Sequence, residues 1–259
     1  EQVLRRRYGM IAIALLALGL APSLAGPATR QALALAGRRS ALATLVSLAP
    51  MAALAFDNGL PEMEKYKDRP KQRGPKPADI GLKARLLNAD GDEALGSVKT
   101  CAATPNCFTT TGDRDISTAP PGESGHLLPT WLPPKGATAA AAMSELESVV
   151  KAYKPGQAGI DGGGFEIVTS SDTYLYAQFA SLRQGYVDDV EFAPVADYAN
   201  SPAVQVRSAS RLGYLDYAVN AMRLNYISKE LRAKGWTSPE ITTKTHPEYF
   251  GYNLPKPRA

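Results

Sequence analysis

The sequence predicts an α+β domain with an antiparallel sheet of about four strands and helices on one face. Four segments between residues 165 and 210 alternate apolar and polar side chains and are joined by short turns, which is typical of strands in a meander. Two further segments carry apolar residues at helical spacing. The 259 residues suffice for one substantial core with appendages. We divide the chain into a leader (1–55), an extended basic arm (56–85) and a single domain (86–259).

Residues 1–55 resemble two consecutive export signals. The apolar run 10–20 follows three arginines and is too short to cross a bilayer. A second unit begins with the twin arginine Arg38-Arg39 and ends in Ala53-Leu54-Ala55, as in a signal of the Tat type cleaved after Ala55. Such a pair predicts delivery through a plastid into the thylakoid lumen. The alternative is two retained hydrophobic helices that hold the protein at a membrane.

The excess positive charge belongs to the leader. Residues 1–56 hold six arginines against Glu1, a net of +5, and because the whole chain carries +4, the remainder carries about −1. A domain without a basic excess is not expected to bind nucleic acid.

Residues 56–85 are rich in proline and lysine and poor in apolar side chains. They form either a flexible linker or an arm that becomes ordered on an acidic partner surface. In the second case Leu60, Met63 and Tyr66, spaced by three, are the expected docking residues.

Near its start the domain contains a region, 101–134, that lacks sustained periodicity and predicts a long ordered loop. Ser144 and Glu147 form a capping-box pattern that predicts a helix over 144–153. Strands are predicted at 165–169 and 173–181. The glycine-rich 161–164 lacks the ending of a phosphate-binding loop and predicts a turn.

The last two strands are predicted at 186–192 and 203–210, before a helix over 216–234. Asp216 is the expected N-cap of this helix. Its predicted buried face is formed by Leu215, Val219, Met222, Tyr226 and Leu231. The proline-containing tail after Thr237 predicts irregular structure.

No pattern for catalysis, a metal or a cofactor is present in the sequence. His126 and His246 lie in predicted loops without ligand spacing, and the chain has no Gly-x-Ser-x-Gly motif. Cys101 and Cys107 enclose five residues, so they form a disulfide or remain two packed thiols, and a redox pair is the less favoured alternative.

The most suggestive group of side chains is acidic on one strand and basic on the next. Asp188, Asp189 and Glu191 face a neighbouring strand that carries Arg207 and Arg211. Cross-strand neighbours of opposite charge form pairs, so Asp189 or Glu191 is expected to pair with Arg207. Three uses remain open: structural pairing, recognition of a ligand or partner, and catalysis.

Three stretches resemble the domain of unknown function family 1499. They are Cys101 to Cys107 with Asn106 before the second cysteine, residues 174–192 with Val-Asp-Asp-Val-Glu-Phe, and residues 204–220 with Arg-Ser-Ala-Ser-Arg. The resemblance covers about residues 80–235. The family occurs in bacteria and in chloroplasts, so the resemblance, taken together with the leader, implies a chloroplast member of the thylakoid-lumen type, and the family has no agreed activity. The residues in the characteristic stretches are Cys101, Cys107, Asp188, Asp189, Arg207, Ser208, Ser210, Arg211 and Asp216.

These observations predict a protein without enzymatic activity or cofactor. The leading hypothesis is an accessory subunit docked on the lumenal side of a photosynthetic membrane complex, most simply a photosystem core or antenna. The alternative is a lumenal domain that binds a small molecule or lipid. The predicted recognition residues are Asp188, Asp189, Glu191, Arg207, Ser208, Ser210, Arg211 and Asp216.

Overall fold

A five-stranded antiparallel sheet forms the centre of the protein. The computed structural model describes residues 56–86, 93–102, 104–111, 124–195 and 202–254. The predicted leader, 1–55, lies outside these residues. The strands are β1 (Lys83–Leu86), β2 (Glu93–Ser97), β3 (Cys107–Thr109), β4 (Phe165–Ser171), β5 (Tyr174–Ala180), β6 (Val187–Pro194) and β7 (Val204–Ser210); the helices are α1 (Ala139–Lys151), α2 (Val219–Arg232) and α3 (Pro247–Asn253).

The strand order of the main sheet is β3-β7-β6-β5-β4, and all neighbours are antiparallel. Strands β1 and β2 form a separate two-stranded sheet. Helix α1 packs on β4, β5 and β6, and α2 packs on β7 and β3. The predicted α+β class is therefore confirmed.

Strand β3 is the part of the sheet that the sequence did not predict. Cys107 pairs with Ala209 and Thr109 pairs with Arg207, so β7 holds this strand in place. Three residues are too few to show a period of two, which is why the prediction placed a loop here.

The core lies between the sheet and the two long helices. Leu146 and Val150 from α1 and Leu224 and Ile227 from α2 are completely buried, together with Phe192 of β6. Burial of each such side chain is worth roughly 1.5–3 kcal/mol. This core fixes the positions of the polar groups described below.

Helix α1 begins earlier than predicted. Its N-cap is Thr138, whose hydroxyl accepts a hydrogen bond from the Ala141 amide at 3.2 Å. Ser144 lies inside the helix, so the predicted capping box is wrong. The alanines before Ser144 have the highest helix propensity and extend the helix toward its N-terminus.

Helix α2 begins at Val219 and not at Asp216. Its N-cap is Ala218 in a left-handed conformation, and Asp216 is still used, because its carboxylate accepts the amides of Ala218 and Asn220. The predicted apolar face is correct only in part: Leu231 is buried, whereas Leu215, Val219, Met222 and Tyr226 are half-buried. The buried residues of α2 are Asn220, Ala221, Arg223, Leu224, Ile227, Ser228 and Leu231.

The basic arm is packed on its own domain and is not a free linker. The Leu60 amide donates to the Gly162 carbonyl at 2.9 Å, and the Gln72 amide donates to the Gln184 carbonyl at 2.8 Å. The arm also contains a 3-10 helix over Pro61–Tyr66.

The three predicted docking residues of the arm contact this same chain. The Leu60 side chain lies against Gly156, where an added Cβ would come within 2.4 Å of it. Met63 lies beside Gly163. The Tyr66 ring has the guanidinium of Arg183, which belongs to the domain, 6.0 Å from its centroid. In this structure the surface along which the arm lies therefore belongs to its own domain.

The tail forms α3 where irregular structure was predicted, and Tyr249 of this helix is buried. A helix of seven residues gives too weak a pattern to be recognised from sequence. In the described parts of the chain, no helix has the length and apolar character needed to cross a membrane.

Candidate functional site

Strand β6 carries acidic residues on both faces of the sheet. Side chains alternate along a strand, so Asp189 and Glu191 lie on the face opposite the helices, while Asp188 lies on the helix side. We call the first surface the arm-side face, because residues 73–82 of the arm lie over it. We call Asp161, Asp188 and Arg223 the helix-side cluster.

On the arm-side face, Glu191 pairs with Arg207 across the strand register. Arg207 Nη1 lies 3.0 Å from Glu191 Oε2, and both side chains are almost fully buried. Glu191 Oε1 also accepts hydrogen bonds from the Tyr174 hydroxyl at 2.6 Å and from the Gly81 amide at 2.8 Å. The Gly81 contact ties the arm to the sheet.

The second pair of this face is Asp189 with Arg211. Arg211 donates from Nε and Nη2 to the two carboxylate oxygens at 2.8 and 2.7 Å, which is the bidentate geometry typical of arginine. The Tyr176 hydroxyl donates to Asp189 at 2.6 Å. Burial and the neighbouring carboxylate raise the pKa of Tyr176 to about 12, so its hydroxyl keeps its proton.

The arm-side face is therefore filled by its own partners. Lys76 of the arm lies over the Tyr176 ring, with Nζ 4.9 Å from the centroid. Gln205 bonds the backbone of Val98 and Gly96 at 3.2 and 3.1 Å. The predicted pairing of Glu191 with Arg207 is present, and both side chains are almost fully buried.

On the other side of the sheet, Arg223 of α2 is fully buried between two carboxylates. Arg223 Nε donates to Asp161 at 2.9 Å, and Nη2 lies within hydrogen-bond distance of both Asp161 and Asp188, at 2.6 Å from the latter. Nη1 donates to Asn220 at 2.9 Å. The guanidinium also lies 4.8 Å from the Phe179 ring centroid.

The helix-side cluster contains one more negative than positive formal charge. Removal from water raises the pKa of Asp188, and Arg223 offsets only part of that effect. The two carboxylates raise the pKa of Arg223, which stays charged. Asp188 is thus a buried carboxyl group that is more easily protonated than an ordinary aspartate.

Asp216 organises the junction between β7 and α2. Its carboxylate accepts the Ala218 amide at 3.1 Å, the Asn220 side-chain amide at 2.7 Å and the Tyr249 hydroxyl at 2.7 Å. Asn220 also donates to Ser210 and accepts the Ser208 hydroxyl at 2.5 Å. These contacts give Asp216 and Ser208 structural roles.

A cavity of about 580 Å³ opens beside the helix-side cluster. Its walls come from the turn before β4, the turn between β5 and β6, the start of β6, the segment that joins β7 to α2, and Gln72 of the arm. The lining residues that matter below are Asp161, Leu182, Tyr186, Asp188, Leu212, Tyr214, Leu215, Asp216 and Tyr217. Of the predicted recognition residues, Asp188, Ser210 and Asp216 line this cavity, while Asp189, Glu191, Arg207, Ser208 and Arg211 do not.

Unusual backbone conformations collect at this cavity. The described non-glycine residues with positive φ are Ala158, Asp161, Tyr217 and Ala218, at 49°, 54°, 56° and 64°. Asp161 and Tyr217 line the cavity, and Ala158 and Ala218 are adjacent to lining residues. For a residue other than glycine, such a conformation costs of order 1 kcal/mol or more. Backbone strain of this kind is concentrated at functional sites.

The cysteines and histidines have structural positions. A disulfide joins Cys101 to Cys107 beside β3. His126 Nδ1 lies 2.9 Å from the Cys107 carbonyl oxygen, and His246 Nε2 lies 3.1 Å from that of Leu127. The part of the chain that the structure describes contains no group of three potential metal ligands.

We predict that Asp188→Asn is tolerated and changes how stability depends on pH. The pKa of Asp188 is higher in the folded protein than in the unfolded chain, where it is about 3.9. Protonation of Asp188 therefore stabilises the folded protein at low pH, and this stabilisation is lost as the pH rises through the folded-state pKa. The variant lacks this loss. At pH 7 we expect a Tm equal to that of wild type or about 2–4 °C higher, the shift that 1 kcal/mol gives a domain of this size.

Thermal unfolding between pH 4 and pH 7 measures this effect. The difference between Asp188→Asn and wild type should shrink as the pH falls, because the raised pKa lets the wild-type carboxyl take up its proton at a higher pH than an ordinary aspartate. The control is Asp172→Asn in the exposed β4–β5 turn, which should show no comparable difference. A large loss of Tm in Asp188→Asn that persists at both pH values contradicts the prediction.

The fold and its cavity define an α+β domain with an internal arginine–carboxylate cluster next to an open site. A family model described as protein of unknown function (DUF1499) matches residues 97–231, about half of the chain. The chain belongs to this family. The matched range contains the disulfide, the paired charges of the arm-side face and the whole helix-side cluster. Comparison with curated proteins and with solved structures gives no match.

Sequence reasoning did not identify Arg223 or Asp161 as site residues. It also missed the three tyrosines that line the cavity, Tyr186, Tyr214 and Tyr217. An arginine in an amphipathic helix is normally assigned to the exposed face, and Asp161 belongs to a turn that precedes β4. The one available signal was the spacing of Asn220 and Arg223, which lie three residues apart and share a helix face.

Proposed function

We propose that the domain binds a small organic ligand in the cavity beside the helix-side cluster. One observation carries the proposal. The four described non-glycine residues with positive φ all line an open cavity of about 580 Å³ or lie next to a residue that lines it. Ligand sites of this kind are concave, mostly apolar, and have a few fixed polar groups. Here Asp161 and Asp188 are held by their ion pairs with Arg223, and Asp216 is held by hydrogen bonds.

The proposal is for binding without catalysis. Both oxygens of Asp161 accept hydrogen bonds from Arg223 or Tyr153. Both oxygens of Asp216 are likewise occupied, by Asn220, Ala218 and Tyr249. Carboxylates held in this way support the walls of a site and are poorly placed to exchange a proton with a substrate.

The site differs from the one predicted from sequence. The alternative hypothesis placed a ligand on the sheet face with Asp189, Glu191, Arg207 and Arg211. Those groups are paired with one another under the arm, so the proposed site moves to the opposite face of β6, where Asp188 lies.

The neutral dye Nile red, whose fluorescence rises in an apolar site, tests the proposal. Tyr217→Asn removes an aromatic ring that is 72% exposed at the cavity, and asparagine tolerates the left-handed backbone. We expect wild type to bind the dye, and Tyr217→Asn to bind it at least several-fold more weakly with an unchanged or higher Tm.

The control variant is Val168→Asn, which removes an exposed apolar side chain of β4 that does not line the cavity. It should bind Nile red like wild type. The proposal fails if wild type does not bind the dye, or if both variants weaken binding equally.

We also propose, as a second role, that the chain is an accessory subunit on the lumenal side of a photosynthetic membrane complex. The twin-arginine leader supports this location. Exposed aromatic rings support a contact surface, because Tyr214 and Tyr252 are 56% and 59% exposed with ring centroids 6.4 Å apart. On a blue-native gel of thylakoid membranes the protein should migrate with a photosystem. Migration only at monomer size contradicts this role.

A further inference from the structure

The charged residues that line the cavity are all acidic. They are Asp161, Asp188 and Asp216, and no lysine, arginine or histidine is among the lining residues. Arg223 lies beneath them and is fully buried. With three formal negative charges and one positive charge, the site has a formal balance of −2, so it favours a cation over an anion.

Asp188 is the carboxylate best placed to meet a ligand. It contacts Arg223 through Oδ2 and the hydroxyl of Ser210, which leaves lone pairs free on a group that can accept about four hydrogen bonds. Its side chain is 11% exposed, compared with 2% for Asp161. Asp188 is one of the residues that line the cavity.

Three tyrosine rings stand around the same cavity. Tyr186, Tyr214 and Tyr217 are 40%, 56% and 72% exposed. Aromatic faces attract ammonium groups, and sites that recognise substituted ammonium ions combine several such rings. The remaining walls include Leu182, Leu212 and Leu215, which suit an apolar chain and make no polar contact with it.

We propose that the ligand is an organic ammonium ion with an apolar tail, whose charged head lies against Asp188 and whose tail contacts the tyrosine and leucine walls. This inference rests on the proposed function and specifies the chemistry of the ligand. The ammonium group supplies the positive charge that the helix-side cluster lacks. An anionic head in the same place would meet Asp188 and Asp216 without a cation on the cavity wall.

The test uses three probes with the same tail and different heads, namely octylammonium, 1-octanol and octanoate, each displacing Nile red at pH 7. Octylammonium should displace the dye at concentrations roughly tenfold or more below those of octanol, since a hydrogen bond to a charged group is stronger than a neutral one. Octanoate should be the weakest. In Asp188→Asn the ratio of the displacing concentrations of octylammonium and octanol should rise to about one, a ratio that does not depend on the affinity of the variant for Nile red.

The outcomes separate this inference from the proposed function. If Nile red binds wild type and the three probes compete equally, or octanoate competes best, the cavity is a ligand site and the ammonium assignment is overturned. An advantage of octylammonium that survives in Asp188→Asn also overturns the assignment. If Nile red does not bind wild type at all, the proposed function itself fails.

Discussion

Replacing Arg223 by methionine is expected to lower the free energy of unfolding by about 3–5 kcal/mol, the usual cost of removing one partner from a buried ion pair. Arg223 is completely buried and contacts Asp161 and Asp188. Methionine keeps much of the side-chain volume, so the effect arises from two carboxylates that lose their only salt-bridge partner in the described structure. Chemical denaturation monitored by circular dichroism measures the change.

Two variants show whether charge is the cause of this loss. Arg183→Met removes an exposed arginine and should change the unfolding free energy by less than about 0.5 kcal/mol. Adding Asp161→Asn and Asp188→Asn to Arg223→Met removes the unpaired negative charges, so part of the stability should return. If the triple variant is less stable than Arg223→Met alone, the explanation by unpaired charge is wrong.

Replacing Arg207 by alanine is expected to lower the unfolding free energy by about 3 kcal/mol, at the lower end of the range for a broken buried pair. Glu191 is fully buried and loses its cation. It retains the Tyr174 hydroxyl and the Gly81 amide as donors, which explains why we expect a smaller effect than at Arg223. If Arg207 and Glu191 form a structural pair, Arg207→Ala should have a lower Tm than wild type and should bind Nile red as wild type does.

The alternative use of Arg207 makes the opposite prediction. If Arg207 bound a ligand, the alanine variant would keep its Tm and lose binding. Hydrogen exchange at the Gly81 amide gives a second readout, because this amide donates to Glu191 and should exchange faster when the pair is broken. A Tm equal to that of Arg183→Met would contradict the structural role.

Much of the sheet was predictable because its strands are long and alternate regularly. Strands β4 to β7 lie close to their predicted positions, and the pairing of Glu191 with Arg207 follows from adjacent antiparallel strands. The regular alternation along β6 also puts Asp188 on the face opposite Asp189. Cys101 and Cys107 are close in sequence, so a disulfide was one of the expected outcomes.

The helix boundaries were less predictable. Ser144 and Asp216 have the chemistry of N-caps, but α1 extends back through alanines to Thr138, and α2 starts only after the left-handed Ala218. A local capping pattern competes with helix propensity and with the backbone conformation: the alanines before Ser144 extend α1, and the left-handed conformation of Ala218 sets the start of α2.

The composition of the arm indicated that it does not fold alone, and this agrees with the absence of a buried residue in its 3-10 helix. Where the arm lies depends on the rest of the chain. Its Gly81 amide meets Glu191, a residue 110 positions later in the sequence. No local pattern contains a contact of this kind.

The sequence by itself determined the α+β class, the family and the order of the long strands, because periodicity, turn residues and motif order act over short distances along the chain. Only the tertiary structure decided that Arg223 is buried with Asp161 and Asp188, that the arm covers the paired charges of its own sheet, and that tyrosines surround an acidic cavity. These features join residues from distant elements. The free energy of burying a charge depends on which partners the fold brings to it, and that information is not present in local sequence.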